Sequence, residues 1–364
     1  MGIGQRALEV LEMNVTFWAG KRVFITGHTG FKGGWLSLWL QQFGAKLYGF
    51  SLPPPTTPSL FETARIGHLF EKHSLGDVRD SVALADAMQS AQPDIVLHLA
   101  AQPLVRYSYD APVETFAVNV MGTVNVLEAA RKTGSVLALV NVTTDKCYDN
   151  KEWYWGYREC EALGGYDPYS ASKACSELVT AAYRNSFGQD GGPWIGSGRA
   201  GNVIGGGDWA PDRLLPDVFR AIDANITVNV RNPDATRPWQ HVLEPVAGYI
   251  ALAEHLATHG RPFAAAWNFG PADTDARPVQ WILEKIARLK PGFVWNIEQG
   301  DAVHEANYLK LDSSRARALL GWSPRWSLDT ALEKTSAWHD AWRLDADMRA
   351  FSWQQIAEYQ SAET

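Results

Sequence analysis

The sequence predicts an α/β protein in which a doubly wound parallel sheet is followed by a smaller, mixed and mainly helical C-terminal lobe. Apolar strand-like runs alternate with helical patterns as far as about residue 201, an order typical of βαβ units. Such strands are covered on both faces by helices. Beyond residue 201, glycine- and proline-rich stretches separate helical patterns and leave too few strands for a second large sheet.

The individual elements follow one another along the chain, and a further strand is expected shortly before Asp77. The other predicted strands are residues 21–26, 46–50, 95–99, 136–141 and 194–199. The predicted helices are residues 31–43, 82–89, 113–131 and 166–187, then 244–259, 278–289, 312–320 and 328–342.

Composition excludes several classes of function. The 364 residues include 33 basic and 40 acidic side chains, a net charge of −7, which disfavours a general nucleic-acid-binding protein. The chain lacks a run of eighteen apolar residues, so no membrane span is predicted, and residues 1–14 lack a secretory apolar region. Three cysteines without metal-ligand spacing favour a cytoplasmic protein with no metal site and no disulfide framework.

A glycine-rich turn joins the first predicted strand to the first predicted helix, with the spacing G-x-x-G-x-x-G. Glycine allows the backbone to turn tightly and approach a pyrophosphate, which the N–H groups of the helix N-terminus can bind. An ordinary strand–helix turn is the alternative, but the βαβ context favours a Rossmann-type dinucleotide site. The residues expected to meet the dinucleotide are Gly27, Thr29, Gly30, Phe31, Lys32 and Gly33.

The loop after the second strand leaves the choice between NAD and NADP open. An acidic residue that would hold the adenosine ribose is missing from residues 50–53, and so is an arginine for a 2′-phosphate. Asp77 and Val78, after the third strand, are predicted to contact the adenine, although Asp77 could instead cap the strand end.

Tyr169 and Lys173 begin the long helix predicted at residues 166–187, and their four-residue spacing places them on one face. An ammonium beside a phenol favours the phenolate and lowers its pKa from about 10 toward neutrality. The pair therefore predicts a general base for an alcohol that is being oxidised. Because Y-x-x-x-K is common, the prediction depends on the nucleotide turn upstream.

Thr143, Thr144, Asp145 and Lys146 follow the strand at residues 136–141. Ligands of open parallel sheets bind at such carboxyl ends. Thr144 could bond a substrate hydroxyl beside Tyr169, while Asp145 and Lys146 would add an acid and an amine that plain alcohol oxidation does not require. An exposed ion pair is the alternative interpretation of Asp145 and Lys146.

Together these stretches resemble the extended short-chain dehydrogenases that act on nucleotide sugars, and among them the 4,6-dehydratases. The resemblance begins near residue 17 and covers nearly the whole chain. It implies NAD as cofactor, CDP-glucose as substrate and a 4-keto-6-deoxy sugar nucleotide as product. The matching blocks are residues 26–33, 98–102, 144–150, 169–173, 199–209 and 237–242.

The resemblance also implies roles for the catalytic residues. Tyr169 takes the proton of the C4 hydroxyl, and Asp145 gives a proton to the oxygen that leaves C6. Many 4,6-dehydratases carry a glutamate as the C5 base where this sequence has Lys146. An amine must be neutral to act as a base. Burial and the nearby cation Lys173 would both lower the pKa of Lys146, so we hypothesise that Lys146 removes the C5 proton.

Binding contacts and assembly are implied in the same way. The helices at residues 113–131 and 166–187 would join two subunits in a homodimer. The pattern along the chain divides it into residues 1–19, an extension or a first helix, residues 20–201, the NAD-binding Rossmann domain with the catalytic residues, and residues 202–364, mainly a substrate-binding lobe with segments that could return to the sheet. Further cofactor contacts are Leu99, Ala100, Ala101, Asn119 and Thr143, with Tyr169 and Lys173. Expected substrate contacts are Arg106, Ser108, Asn202, Arg213, Arg237, His241 and Tyr308.

Other functions stay open on the sequence. A dehydratase could act on dTDP-glucose or UDP-N-acetylglucosamine, but in the inverting UDP-N-acetylglucosamine enzymes the tyrosine follows the lysine after only a few residues. Here Tyr169 lies 23 positions after Lys146. A nucleotide-sugar 4-epimerase would not need Asp145 and Lys146. A non-catalytic NAD-binding protein would usually lack Tyr169 or Lys173.

Overall fold

A computed structural model describes residues 15–188, 191–230, 232–297 and 308–362. The strands are β1 Arg22–Thr26, β2 Lys46–Ser51, β3 Phe70–Leu75, β4 Ile95–His98, β5 Ala138–Val142, β6 Trp194–Ala200, β7 Asn202–Ile204, β8 Val228–Val230, β9 Thr236–His241, β10 Ala266–Phe269, β11 Ala276–Pro278 and β12 Trp295–Ile297. The helices are α1 Val15–Trp18, α2 Phe31–Gln42, α3 Leu60–Thr63, α4 Ser81–Ala91, α5 Val105–Asp110, α6 Pro112–Phe116, α7 Gly122–Thr133, α8 Pro168–Phe187, α9 Leu214–Ala224, α10 Leu243–His259, α11 Val279–Leu289, α12 Ser314–Leu320, α13 Leu328–Arg343 and α14 Met348–Ser361.

The central sheet has seven parallel strands in the order β10-β6-β5-β4-β1-β2-β3. The order reverses between β1 and β4, where the chain leaves to one side for β2 and later returns to the other. Ligands of doubly wound sheets bind at the carboxyl ends of the strands beside this reversal. The predicted α/β fold with a Rossmann-like sheet is confirmed.

Two apolar layers cover the sheet, as its buried strands require. On one face, α2 and α10 contribute to a core that includes Trp35, Trp39 and Tyr249. On the other face, α4 and α7 bury side chains such as Leu84 and Leu127. Every residue of β4 and β5 is buried, which explains why these strands read as continuous apolar runs.

The C-terminal half forms two small sheets and several helices. Strands β7, β9 and β11 form one sheet, and β8 pairs with β12. Helices α9, α11 and α13 bury apolar side chains in one cluster with these strands, and Val218, Ile282 and Leu332 lie at its centre. Among the described residues, no helix is both long and apolar enough to cross a membrane.

Several elements differ from the predicted ones. The helix expected at residues 113–131 is divided into α6 and α7 by a π-helical turn at Ala117–Met121. Strand β10, from the C-terminal half, pairs with β6 in the central sheet. Helices α9 and α14 were not predicted, and residues 1–14 of the expected extension lie outside the described residues.

Candidate active site

A cavity of about 700 Å³ opens at the carboxyl ends of the central strands. It extends from the glycine-rich turn, past the ends of β4 and β5, to the small sheets of the C-terminal half. Its volume lies in the range of ligand-binding pockets. The predicted residues that line it are Gly27, Thr29, Gly30, Phe31, Lys32, Gly33, Asp77, Val78, Leu99, Ala100, Ala101, Arg106, Thr143, Thr144, Asp145, Lys146, Tyr169, Lys173, Asn202, Arg213 and Arg237.

The glycine-rich turn is shaped for close approach of a ligand. Gly27 has φ of +77°, and a Cβ there would lie 2.6 Å from the backbone nitrogen of Ala100. A larger residue would therefore strain the turn and push against the loop after β4. Helix α2 begins directly after Gly30, which offers no side-chain cap, so its N-terminus can accept an anion such as a pyrophosphate.

The end of the cavity near the glycine-rich turn contains hydroxyl groups. Thr29 Oγ1 donates to the carbonyl of Leu52 at 2.9 Å and lies 2.8 Å from Ser51 Oγ. Asp77 accepts bonds from the backbone N–H and the Nε of Arg79, at 2.8 and 2.9 Å. The hydrogen bond from the Arg79 side chain lowers the pKa of Asp77 and keeps it ionised.

Helix α8 presents Tyr169 and Lys173 to the cavity. Asp167 caps its N-terminus, since its carboxylate accepts the Ser170 N–H at 2.9 Å and the Ser170 hydroxyl at 2.7 Å. Pro168 lies in the first turn, where proline is favoured because its missing N–H would have no partner within the helix. The cap therefore fixes where the helix begins and which face Tyr169 and Lys173 share.

Asn119 supports this helix from behind and does not itself line the cavity. Its Nδ2 donates to Gln102 O at 3.0 Å and to Ser172 Oγ at 2.9 Å, while its Oδ1 accepts the Gln102 N–H at 2.9 Å. It lies in the π-helical turn that divides the predicted helix. This placement indicates that Asn119 organises the segments behind the cavity, whereas the sequence analysis expected it to contact the cofactor directly.

Burial sets the protonation states of the pair. It raises the pKa of Tyr169 to about 12, opposed mainly by a hydrogen bond with Thr144. It lowers the pKa of Lys173 to about 8. The direction for Tyr169 is opposite to the expected one, because the lost hydration of the phenolate outweighs the hydrogen bond with Thr144 and the charge of Arg213.

Asp145 has the environment of a proton donor. The side chain is 2% exposed; Oδ1 accepts the Thr144 hydroxyl at 2.9 Å, and buried Oδ2 has no partner among the described residues. Burial raises the pKa of Asp145, against the opposing charge of Lys146. A protonated carboxyl with one unpartnered oxygen can donate to a substrate oxygen in the cavity.

Lys146 lies beside this acid in a short 3₁₀ turn, Asp145–Cys147. The turn is capped by Thr144, whose hydroxyl oxygen accepts the Lys146 N–H at 3.3 Å. The Lys146 side chain is half-buried and lines the cavity. The strand end thus brings an acid, an amine and a hydroxyl to one wall of the cavity, facing Tyr169.

Cations and carboxylates pair where the C-terminal half lines the cavity. Arg213 Nη1 bonds Asp208 Oδ2 at 2.8 Å, and Arg106 Nη1 bonds Asp212 Oδ1 at 3.1 Å. Lys32 lies close enough to these cations to feel their charge. Burial lowers its pKa to about 8, and the positive charge of Arg213 contributes to that shift. These groups offer several donors for the diphosphate of a nucleotide sugar.

Three predicted substrate contacts, Ser108, His241 and Tyr308, do not line this cavity. Ser108 is fully buried, and its hydroxyl donates to a carbonyl of its own helix. His241 is fully buried between the rings of Trp35 and Trp326. The Tyr308 hydroxyl donates to a carbonyl of the loop after β5 at 3.3 Å, so it joins two surface segments.

Thr143 lines the cavity, but its hydroxyl already donates a hydrogen bond to Glu177 Oε1 at 2.5 Å.

The cavity is also lined by residues that the sequence analysis did not select. The run of glycines before Asp208 was a usable signal, since it brings the backbone close to a ligand. The remaining positions carried no periodic signal. The added cavity residues include Asp208, Trp209, Asp212, Asn229 and Trp239.

Comparisons with known proteins agree with this geometry. The family model described as GDP-mannose 4,6-dehydratase matches residues 24–335. CDP-glucose 4,6-dehydratase of Salmonella typhimurium is 53% identical over 354 residues, covering 96% of this chain and 98% of that protein. The structure of dTDP-glucose 4,6-dehydratase from Bacillus anthracis in complex with NAD has a TM-score of 0.73 at 18% identity, covering 90% of this chain and 99% of that one.

A UDP-glucose-4-epimerase from Stenotrophomonas maltophila with bound NAD has a TM-score of 0.77 at 23% identity, covering 90% of this chain and 100% of that one. At such identities the structural likeness shows the fold alone. The family match is more specific, since it spans the glycine turn, the Asp145 strand end, helix α8 and most of the C-terminal half. The chain therefore belongs to the nucleotide-sugar 4,6-dehydratase family of the extended short-chain dehydrogenases.

Proposed function

We propose that this protein dehydrates CDP-glucose to CDP-4-keto-6-deoxyglucose with NAD bound throughout the cycle. The observation that carries the chemistry is the pairing of Tyr169 with Asp145 through Thr144 on one cavity wall. The choice of CDP-glucose is supported by the 53% identity to CDP-glucose 4,6-dehydratase of Salmonella typhimurium.

The residues at the cofactor end fit NAD. Gly27 leaves room that a Cβ would fill, and the uncapped start of α2 suits a pyrophosphate. Thr29, Ser51 and Asp77 would hold the adenosine, and Lys173 a ribose hydroxyl. When bound, NAD would accept the hydride from C4 and later donate it to C6, and its nicotinamide would add positive charge to the site.

Tyr169 and Thr144 act on the C4 hydroxyl. Tyr169 accepts the hydroxyl proton as the alcohol becomes a ketone, and Thr144 holds the oxygen in place through its hydroxyl. The charges of Lys173 and of the bound cofactor both favour the phenolate form of Tyr169. The new ketone then makes the neighbouring C5 proton acidic enough for a protein base.

Asp145 and Lys146 complete the elimination. Lys146 takes the C5 proton, and Asp145 gives its proton to the C6 oxygen, which leaves as water. Burial raises the pKa of Asp145 and so favours the protonated form that this step requires. Once C6 has received the hydride that bound NAD would return, Lys146 gives a solvent-exchanged proton back to C5. An epimerase does not expel a hydroxyl group, so the buried, unpartnered Asp145 Oδ2 favours dehydration over epimerisation.

Replacing Lys146 by alanine is expected to abolish exchange of the C5 hydrogen with solvent while reduced cofactor still forms transiently. The reason is that oxidation at C4 precedes deprotonation at C5 and uses Tyr169. Deuterium incorporation in heavy water, together with the near-ultraviolet absorbance of the reduced cofactor, separates the steps. Lys151→Ala, which removes an exposed amine paired with Asp149, is the matched control. Unchanged exchange in Lys146→Ala would refute the role.

The function is tested with a panel of nucleotide sugars in heavy water, without added NAD. The panel contains CDP-glucose, UDP-glucose, dTDP-glucose, GDP-mannose and UDP-N-acetylglucosamine. We expect mass spectrometry to show loss of one water and gain of one deuterium with CDP-glucose alone. Reaction with another sugar would overturn the substrate, and no reaction even with added NAD would overturn the dehydratase activity.

A homodimer through α6, α7 and α8 is also part of the proposal. These helices and the turn between them carry exposed apolar side chains, with Val113 83%, Met121 53% and Leu178 57% exposed. Apolar surface of this kind is typical of helix–helix contacts between subunits. Sedimentation velocity should give a dimer or a larger assembly; a monomer at micromolar concentration would contradict it.

A further inference from the structure

Glu177 is a buried acid on the catalytic helix that the mechanism above does not use. It lies one turn after Lys173 and two turns after Tyr169 on α8, so the three side chains share one face. Its side chain is 1% exposed. A charged carboxylate so deeply buried is destabilising unless strong partners compensate for its lost hydration.

The partners of Glu177 come from two neighbouring strands. Thr143 Oγ1 donates to Oε1, while Ser197 Oγ donates to Oε2 at 2.7 Å and Arg199 Nη2 donates to the same oxygen at 2.9 Å. These bonds, chiefly the pairing with Arg199, lower the pKa of Glu177 despite its burial. Glu177 is therefore a fixed negative charge directly behind the catalytic residues.

Arg199 connects this charge to the rest of the site. Its Nη1 donates to Tyr148 Oη at 2.8 Å, and its guanidinium lies 4.9 Å from the centre of the Tyr148 ring. Tyr148 in turn donates to Asn268 Oδ1 at 2.7 Å, on β10. The network thus fixes the segment from Thr143 to Tyr148, which contains Thr144, Asp145 and Lys146.

Among the described groups that face Lys173, Glu177 is the main source of negative charge. Burial lowers the pKa of His98 to about 3, so that ring is neutral, and it raises the pKa of the Cys147 thiol, which is neutral as well. Lys32, on α2, adds positive charge. Arg199 adds more from behind Glu177. The favourable charge on Lys173 comes first from Glu177.

We propose that Glu177 is a positioning residue of the dehydratase, which holds the Lys173 ammonium in its charged form and fixes Thr143 beneath the cofactor site. Arg199 keeps Glu177 ionised and in place. Lys173 can then bind the cofactor ribose and favour the Tyr169 phenolate. The inference rests on the proposed function, because it assigns Glu177 to the first step of that reaction.

The test is the pH profile of kcat/KM for CDP-glucose in Glu177→Gln. Lys173 must be charged, so activity is lost as pH rises through its pKa. Without the negative charge of Glu177 that pKa falls, and the alkaline limb should move down by about one pH unit. A purely structural role would lower activity at every pH and leave the limb where it is in the wild type.

Two controls separate charge from packing. Ser197→Ala removes one bond to Glu177 but keeps its charge, so the limb should stay in place. Glu177→Asp restores the charge, so the limb should return toward the wild-type position. Should Glu177→Gln fail to fold because Arg199 is left unpaired, the double variant Glu177→Gln/Arg199→Gln removes both charges. A downward shift smaller than that of Glu177→Gln is then expected, because a cation that repels Lys173 is lost as well. An unmoved limb in whichever of these variants folds overturns the inference, whereas absence of turnover in the wild type overturns the proposed function.

Discussion

Replacing Tyr169 by phenylalanine is expected to lower kcat for dehydration by about a thousandfold, the range for loss of a general base. The C4 hydroxyl then has no acceptor for its proton, so oxidation, C5 exchange and water loss all stop together. The substitution removes one oxygen from a side chain that is 7% exposed, so the fold should persist. Steady-state kinetics and the deuterium content of the recovered sugar measure the effect.

Tyr166→Phe is the matched control, since Tyr166 lies three residues earlier and is 78% exposed. It should leave kcat unchanged. The amount of NAD carried by each purified variant shows whether the cofactor site survives. Retention of more than a tenth of the wild-type rate in Tyr169→Phe, with NAD in place, would rule out Tyr169 as the base.

Replacing Asp145 by asparagine is expected to stop the reaction one step later and to lower kcat by about two to three orders of magnitude. Asparagine keeps an oxygen that can accept the Thr144 hydroxyl, but it cannot give a proton to the C6 oxygen. Oxidised sugar and reduced cofactor should therefore accumulate on the enzyme. Stopped-flow absorbance should show a stable signal where the wild type shows a transient one.

Asp149→Asn is the control, because Asp149 lies in the same segment but pairs with exposed Lys151. Continued water loss at the wild-type rate in Asp145→Asn would exclude the donor role.

Much of the fold could be predicted because the buried parallel strands and the glycine turn are local signals. The Tyr169–Lys173 spacing was readable for the same reason, and Glu177 at the next helical turn could have been read with it. Strand β10 was not assigned, because its pairing with β6 spans about seventy residues of sequence. The π-helical turn at Ala117–Met121 likewise has no periodic signature.

The substrate contacts were harder to predict, because the side chains of β9 are mostly buried on both faces. Alternation along such a strand cannot tell a cavity residue such as Arg237 from a core residue such as His241. Ser108 satisfies its hydroxyl within its own helix turn, a local bond that competes with ligand binding. The pKa of Tyr169 also depends on burial, which spacing does not reveal.

Strand β10 pairs with β6 at the edge of the central sheet, so the N-terminal half of the chain cannot complete its sheet without the C-terminal half. A fragment ending at residue 201 would leave β6 as an open edge with unpaired backbone groups, a ready template for aggregation. Because one sheet contains strands from both halves, heat should melt them in a single cooperative transition. A dinucleotide bound at the glycine turn would then stabilise the C-terminal half against unfolding as much as the half that contains the turn.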